Sequence, residues 1–299
     1  MLNILSDCDL CPRNCHVDRF SHTGYCNSTN EIKLSKAYLH MWEEPCISGS
    51  NGSGCLFFSN CNLSCIFCQN YEISQNSKGR LVSIDQLSNL MLKLQKNGAH
   101  NINLVTPTQY VPQICKAIIL AKKLGLSIPI VYNTNSYEST KTIQTIAPFV
   151  DIFLADFKYF DDKYAREYSN APDYFNVASA AIKTMYDYVG NPIFDLDSKL
   201  MKKGLIIRHL MLPGHGLDTK NIINYLFESY GSNFYLSLMN QYTPYYKALN
   251  HPKLNKPLSQ NRYEKMIDYC SSLGLENVFI QDKGSSSDSF IPNFDNPNF

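Results

Sequence analysis

From residue 55 onward, short apolar runs rich in β-branched residues alternate with longer stretches of helical periodicity. The apolar runs predict strands at residues 55–59, 101–105, 128–132, 150–155, 205–212, 234–238 and 278–280. The stretches between them predict helices at residues 83–97, 111–124, 139–146, 175–188, 218–230 and 262–273. Strands that alternate with helices in this way build βα units around a parallel sheet, and the right-handed crossover rule curls them in one direction. We therefore expect an α/β fold, specifically a partial (β/α) barrel.

Two shorter regions flank this pattern and lack its periodicity. Residues 1–50 are rich in Cys, Asn and Ser, which predicts a small cysteine-rich segment that a metal orders in place of a hydrophobic core. Residues 284–299 predict an irregular C-terminal tail. The barrel then occupies residues 51–283, and residues 193–197 and 200–203 are expected to form a small hairpin within it.

Charge and hydropathy argue against two classes of partner. Lys and Arg total 27 against 26 acidic residues, so we expect no basic surface that would attract nucleic acid. No apolar run approaches the ~18 residues of a membrane-spanning helix, and the first residues lack the pattern of an export signal. We predict a cytoplasmic protein that binds no membrane. In that reducing compartment, 11 cysteines indicate metal binding or catalysis rather than disulfides.

Three cysteines, spaced Cys61-x3-Cys65-x2-Cys68, directly follow the first predicted strand of the barrel. This position is the mouth at the carboxyl ends of the strands, where (β/α) barrels build their sites. Three thiolates on one short loop can face a single [4Fe–4S] cubane and leave its fourth iron open to another ligand. A tetrahedral zinc site with a distant fourth ligand and three unbound core cysteines are the alternatives.

The loop matches the C-x3-C-x-aromatic-C pattern of the radical S-adenosylmethionine (SAM) superfamily, with Phe67 as the aromatic residue. Further blocks resemble the group of pyruvate formate-lyase activating enzyme, in a branch with an N-terminal cysteine segment, and extend to about residue 283. They are EEPCISGSNGSGCLFF, CIFCQNYEISQ, NLVTPTQYVP, YNTNSY, LADFKY, RHLMLPGH and SLMNQYTP. The resemblance implies that Cys61, Cys65 and Cys68 hold a [4Fe–4S] cluster whose open iron binds SAM. An electron passed into the sulfonium then breaks the C5′–S bond and gives a 5′-deoxyadenosyl radical.

The resemblance also implies residues that contact SAM. The backbone of Phe67 would contact the adenine, and Arg208 would pair with the SAM carboxylate as a charge-assisted donor. Thr106, Pro107 and Thr108 occupy the place of a Gly-Gly-Glu motif that binds the SAM amino group. Because the Glu is missing here, the threonine hydroxyls or the backbone would have to make that contact.

Two further strand ends carry residues to which the resemblance gives a role. Asn133 and Asn135 end the third strand and would bind the cofactor, although the activating enzymes have an Asp at the position of Asn133 that helps to bind a monovalent cation. Asp156 and Lys158 follow the fourth strand and would lie beside SAM and substrate as the catalytic pair. Taken alone, that pair could equally form a salt bridge on the rim. His209 alternates to the face opposite Arg208 and is expected in the core.

A second group of cysteines lies near the amino terminus. Its spacing is Cys8-x2-Cys11-x3-Cys15-x10-Cys26, a set of four thiolates that suits either zinc or a second iron–sulfur cluster. Zinc would be structural, whereas a second cluster could relay electrons or bind substrate. The remaining cysteines have no partner at metal-binding spacing and are expected to be small buried residues: Cys46, Cys55, Cys115 and Cys270.

We therefore expect an oxidoreductase that uses SAM to abstract a hydrogen atom from a substrate. The resemblance favours a glycine of a glycyl-radical protein, presented as a peptide near Asp156 and Lys158, over a small molecule. Tyr110 and the tyrosines of residues 242–246 would then line a wide groove. A flavodoxin or ferredoxin is the expected electron donor. The alternative from another class is a non-enzymatic binding protein built on zinc or cysteine knuckles.

Overall fold

A computed structural model describes residues 2–281 and residue 294. The strands are β1 (Ile32–His40), β2 (Ser53–Phe58), β3 (Arg80–Val82), β4 (Ile102–Val105), β5 (Ile130–Thr134), β6 (Ile152–Asp156), β7 (Ile193–Phe194), β8 (Met201–Leu210), β9 (Tyr235–Met239) and β10 (Val278–Ile280). The helices are α1 (Pro45–Ser48), α2 (Tyr71–Ser74), α3 (Ile84–Lys96), α4 (Val111–Lys123), α5 (Thr140–Ile146), α6 (Asp162–Ser169), α7 (Tyr174–Val189), α8 (Gly216–Tyr230) and α9 (Gln260–Ser272).

The strands form one ten-stranded sheet in the order β10-β9-β8-β6-β5-β4-β2-β1-β3, with β7 paired to β8 at the side. Every pair from β2 to β10 along this order is parallel, whereas β1 runs antiparallel to both β2 and β3. Within the described residues β10 and β3 do not pair, so the barrel is not closed. The predicted α/β fold with a partial barrel is confirmed, and each predicted strand corresponds to one of the parallel strands.

The helices form where the sequence supplies both an apolar stripe and a start signal. In α3, Ser83 caps the first turn by accepting from the Gln86 backbone N–H, and the Gln86 side chain accepts from the Ser83 backbone. Buried residues at helical spacing, including Leu87, Met91 and Leu94, then pack the helix against the sheet. A Pro in the first turn of α4 gives that helix a comparable start.

Neighbouring residues of the parallel strands point to opposite sides of the sheet. Tyr132, Phe153 and Ile207 join the main core with helix residues such as Ile114 and Ile182. The other side, inside the barrel, holds a smaller cluster made of Cys46, Ile47, Val131, Ile152, Leu154, Met201 and Ile206. Because His40 at the end of β1 pairs with Ser53 at the start of β2, the loop that carries α1 lies at the amino end of the barrel. This loop therefore closes the floor of the barrel interior.

Several elements differ from the sequence prediction or extend it. Strand β1 and helix α1 lie within residues 1–50, where little periodicity was recognised, and α6 was not predicted. The hairpin is confirmed, since β7 runs antiparallel to β8 with Ile193 opposite Lys203. Of the predicted tail, residues 284–299, only Phe294 belongs to the described residues, where it is buried against Phe57.

Candidate functional site

The barrel interior contains a cavity of about 700 Å³. Eight residues singled out from the sequence line it, namely Cys65, Phe67, Cys68, Asn133, Asp156, Lys158, Arg208 and Tyr242. Strand register explains how they meet, because Asp156 lies opposite Arg208 at the carboxyl ends of β6 and β8. Glu43 and Glu44 line the opposite, lower part of the cavity. The cavity thus extends from the cysteine loop, residues 61–68, down to the barrel floor.

Each sulfur of the cysteine loop lies within hydrogen-bond distance of a polar group. Cys61 Sγ accepts from the Leu63 backbone N–H at 3.4 Å and from Asn135 Nδ2 at 3.4 Å. Cys65 Sγ accepts from the Ser169 hydroxyl at 2.9 Å, and Cys68 Sγ lies 3.3 Å from Ser74 Oγ. Such donors favour the thiolate form and tune iron–sulfur clusters.

The chemistry of this donor set fits a cluster of several irons better than a free cysteine core. Burial raises the pKa of all three thiols, to about 11 for Cys68; the neighbouring thiols contribute to the rise at Cys61 and Cys68, whereas Lys158 and the Ser169 hydroxyl oppose it at Cys65. Three thiolates at this place therefore require cations beside them, and soft sulfur ligands select iron–sulfur clusters or zinc. Among residues 2–281 and 294, no group of three or more His, Cys, Asp or Glu side chains converges to hold a single ion. A cubane spreads its irons over its corners, so its ligands need not converge on one point.

Arg208 is the centre of an ionic network beneath the loop. Its Nε lies 2.8 Å from Asp156 Oδ1, its Nη2 donates to Asn133 Oδ1 at 2.7 Å, and its Nη1 lies 3.3 Å from Glu43 Oε2. Lys158 Nζ lies 2.6 Å from the other oxygen of Asp156. Burial alone would raise the pKa of Asp156, but Arg208 and Lys158 outweigh it and hold that pKa below its ordinary value. Asp156 is therefore a fixed anion, and the contact of Arg208 with Glu43 is the longest of its three.

The Thr106–Thr108 stretch lies behind the cavity wall rather than in it. Thr106 adopts a positive φ of 58°, and its backbone N–H donates to the Asn133 carbonyl at 2.9 Å. The hydroxyl of Thr108, which is buried, donates to Glu138 Oε1 at 2.6 Å. That hydroxyl is consequently used within the fold, and the structure leaves Pro107 outside the cavity lining as well.

Glu138 is a buried carboxyl that the sequence reasoning missed. Its Oε1 accepts from Thr108, from Tyr132 at 3.1 Å and from Thr134 at 2.6 Å, so it joins the ends of β4 and β5. Burial raises its pKa from 4.5 to about 7, and these three donors only partly offset that effect. The block around it, YNTNSYES, contains two of the three donors, Tyr132 and Thr134, but Thr108 lies 30 residues away after β4, so the local pattern alone does not indicate a buried acid.

Other predicted residues lie next to the site without lining the cavity. Asn135 Nδ2 donates to Asn62 Oδ1 at 2.8 Å in addition to Cys61 Sγ, so Asn135 anchors the cysteine loop. His209 is buried as expected, with its ring nitrogens 2.7 Å from the Phe157 carbonyl oxygen and 2.9 Å from the Thr219 hydroxyl. The four cysteines without partners, Cys46, Cys55, Cys115 and Cys270, are buried as expected too.

The segment with the N-terminal cysteines, Cys8, Cys11, Cys15 and Cys26, packs directly on the cysteine loop. Arg13 Nε donates to the Asn62 carbonyl at 3.0 Å, and the guanidinium lies 3.7 Å from the ring centre of Tyr25. Burial raises the pKa of Cys11 to about 12, and the nearby Cys26 and Cys15 thiols add to the rise. The contacts of Arg13 therefore place this segment against the cysteine loop at the barrel mouth.

An unclosed parallel (β/α) barrel with a three-cysteine loop at its mouth defines a class of cofactor-dependent barrel protein. Within that class, the family profile of the Radical SAM superfamily matches residues 55–226, more than half of the chain. The protein belongs to the radical SAM superfamily. This membership implies a [4Fe–4S] cluster and SAM as its cofactors. No helix in the described part of the chain is both long and apolar enough to cross a membrane.

The chain is similar to MJ0674 of Methanocaldococcus jannaschii, an uncharacterized protein, at 27% identity over 93% of this chain and 78% of that protein. It is similar in fold to Streptococcus suis SuiB bound to S-adenosylmethionine, with a TM-score of 0.52 and 15% identity. That match covers 75% of this chain, which spans about half (49%) of SuiB. A domain of pyruvate-formate lyase-activating enzyme from Bacteroides vulgatus matches at 16% identity and a TM-score of 0.39, over 59% of this chain and 94% of that domain.

Proposed function

We propose that this protein reductively cleaves SAM and uses the resulting radical to abstract a hydrogen atom from a substrate in the barrel cavity. One observation carries the proposal. The cysteine loop, in which each sulfur lies within reach of a hydrogen-bonding group, borders a cavity of about 700 Å³ through Cys65 and Cys68, and the wall of that cavity holds the Arg208, Asp156 and Lys158 network. Such a cavity is large enough for a cofactor together with a substrate.

In this proposal Cys61, Cys65 and Cys68 are the protein ligands of the cluster. When bound, the cluster would supply an electron to SAM, whose C5′–S bond breaks to give the 5′-deoxyadenosyl radical. Asn135 and Ser169 would orient the loop and stabilise thiolate charge through their contacts with Cys61 and Cys65.

The ionic network would orient SAM. Arg208 is held by Asp156 on one side, so its outer nitrogen, now 3.3 Å from Glu43, is the one that would pair with the SAM carboxylate. Lys158 keeps Asp156 ionised from the other side. Phe67, packed edge-on against Tyr242 at 6.0 Å between ring centres, would give the adenine an apolar border. Apolar wall residues, among them Phe57 and Leu210, would exclude water from the radical.

Two substrate classes fit this chemistry. The resemblance to activating enzymes favours a glycine in a glycyl-radical protein, with a flavodoxin or ferredoxin as electron donor. SuiB has been solved bound to the precursor peptide SuiA, and by analogy of fold a peptide could be presented at this mouth. A small molecule is the second candidate, supported by the depth of the cavity, which reaches the carboxylates of Glu43 and Glu44 on the floor. A glycyl radical formed on a candidate protein, detected by EPR, would distinguish the two.

The N-terminal cysteines are proposed to bind either a structural zinc ion or a second iron–sulfur cluster. The alternative function is a non-enzymatic binding protein built on zinc or cysteine knuckles, which would need no iron–sulfur cluster at Cys61, Cys65 and Cys68. Removing the segment would also remove the contact of Arg13 with the cysteine loop. The experiment therefore uses full-length variants with single cysteines replaced.

Iron, sulfide and zinc analysis of anaerobically reconstituted protein tests the proposal. Cys65→Ala should lose about four irons and four sulfides per chain relative to wild type, whereas Cys11→Ala should lose either zinc or a second set of iron and sulfide. Cys270→Ala, a buried cysteine remote from both groups, should keep the full complement. Wild-type protein that binds no iron after reconstitution would contradict the proposed function.

A further inference from the structure

The floor of the cavity holds two adjacent carboxylates, Glu43 and Glu44, which we call the acidic pair. Both belong to the loop between β1 and β2, which enters the barrel from its amino end. The Glu43 side chain is 9% exposed, and Glu44 is 7% exposed as a residue. Carboxylates this deeply buried are costly unless a cation or hydrogen bonds compensate them.

The charges that line the cavity do not balance. Three carboxylates, those of Glu43, Glu44 and Asp156, face two cations, Arg208 and Lys158. Asp156 takes contacts from both cations, while Glu43 shares only one nitrogen of Arg208. His40 also lines the cavity, but burial and Arg208 lower its pKa, so it is not a compensating cation. One of the three carboxyl groups therefore has no cation paired with it, and a cationic ligand would hold that group in its ionised form.

Glu44 is the carboxyl group without an ion-pair partner, although Arg208 and the Ser237 hydroxyl act on it more weakly than burial does. It makes no ion pair within the described residues, and its buried Oε2 has no hydrogen-bond partner there. Burial raises the pKa of both members of the acidic pair, with Arg208 opposing that rise. If the SAM carboxylate paired with Arg208 Nη1, Glu43 would lose its ion-pair contact as well, because the two carboxylates would compete for that nitrogen.

We propose that the acidic pair binds the cationic end of the substrate, a primary amine or guanidinium carried on an alkyl chain. The wall between the floor and the cysteine loop supplies the matching surface for the alkyl part, with Phe57, Val105, Leu210 and Met239 exposed to the cavity. Such an arrangement anchors the charged end at the floor and directs carbon atoms of the chain toward the cysteine loop. This inference rests on the proposed function and specifies its substrate class.

Calorimetric titration of the SAM-loaded, reconstituted protein tests the assignment with two probes, 1,5-diaminopentane and Nα-acetyl-lysine methylamide. Wild type should bind at least one of them, and Glu44→Gln should weaken that binding by about tenfold or more, the loss expected for a charge-assisted contact. Glu44→Asp, which retains the charge, should recover part of the affinity. Glu228→Gln, an exposed surface change, serves as the matched control and should bind like wild type.

The two probes separate the sources of the cation. Tighter binding of diaminopentane assigns a free alkylamine, and tighter binding of the blocked lysine assigns a side chain within a peptide. The inference is overturned if neither probe binds wild type, if Glu44→Gln binds both as wild type does, or if Glu44→Gln weakens SAM binding in place of amine binding. Formation of 5′-deoxyadenosine is measured on the same samples. Its absence while amine binding persists would overturn the proposed function and leave this assignment standing.

Discussion

Glu138 should make the stability of this protein depend on pH in a way that a single substitution removes. Its carboxyl lies under β4 and β5, where three hydroxyl groups donate to Oε1 while Oε2 has no partner among the described residues. Burial raises its pKa from 4.5 to about 7. Because the folded state then binds the proton more tightly than the unfolded state, this carboxyl contributes stability that is complete below pH 4.5 and disappears as the pH rises through about 7.

The size of the effect follows from that pKa difference. At 1.36 kcal/mol per unit of pKa change, this group changes the unfolding free energy by about 3.4 kcal/mol between pH values well below 4.5 and well above 7, and the wild type should lose about 2.5 kcal/mol of it between pH 5 and pH 8. Glu138→Gln keeps an oxygen for the three hydroxyl donors and cannot ionise. The variant should therefore become more stable than wild type as the pH rises through 7.

Anaerobic urea unfolding of the holoprotein at pH 5, 6, 7 and 8 measures the difference between the two proteins. Other buried acids, such as Asp218 with a pKa raised by burial to about 6, titrate in both and cancel in the comparison. Glu228→Gln should follow the wild-type profile. A constant difference between Glu138→Gln and wild type across this range would refute the reasoning, because it would mean that Glu138 does not titrate there.

Two further predictions concern the site. Arg208→Gln should raise the dissociation constant for SAM by about tenfold or more, through the loss of a charge-assisted pair, while leaving the iron content unchanged; an unaltered EPR titration with SAM would show that Arg208 only supports the fold. Ser169→Ala removes the hydroxyl that lies 2.9 Å from Cys65 Sγ, and it should lower the reduction potential of the cluster by roughly 40 mV per kcal/mol of lost stabilisation. Potentiometric titration followed by EPR measures that shift, and an equal potential in both proteins would contradict a role for Ser169 at the sulfur.

Much of the barrel could be predicted because its parallel strands are buried on both faces. Such strands appear in the sequence as continuous apolar runs, and each run except the last is followed by a stretch with helical periodicity. The spacing of the apolar residues and the order of the elements therefore both indicate a parallel βα fold. Strand β1 lies at the antiparallel side of the sheet and mixes Lys33, Ser35 and Lys36 with apolar residues. This mixture obscures the two-residue alternation expected of a strand, so the position of β1 in the sheet is evident only from its pairing with β2 and β3.

Site residues that lie close together in the sequence could be predicted, whereas those whose contacts are distant in the sequence could not. The cysteine loop is a local feature, because three cysteines within eight residues can be recognised from their spacing alone. Asp156 and Arg208 were placed at strand ends, and parallel register brought them together. Glu43 could not be assigned, although it stands in a block that carries the family resemblance, because its partners Arg208 and Asn103 are distant in sequence. Thr108 does not line the cavity, because its hydroxyl donates a hydrogen bond to Glu138, which lies 30 residues further along the chain.

The formation of 5′-deoxyadenosine tests the central claim most directly. Reconstituted wild-type protein, reduced with dithionite under anaerobic conditions and supplied with SAM, should produce it, as should the Cys270→Ala control. Cys65→Ala should produce none, because a cluster with two protein ligands loses the geometry that holds SAM at the open iron. Production by Cys65→Ala at the wild-type rate, or no production by a wild-type protein that carries its full cluster, would contradict the account.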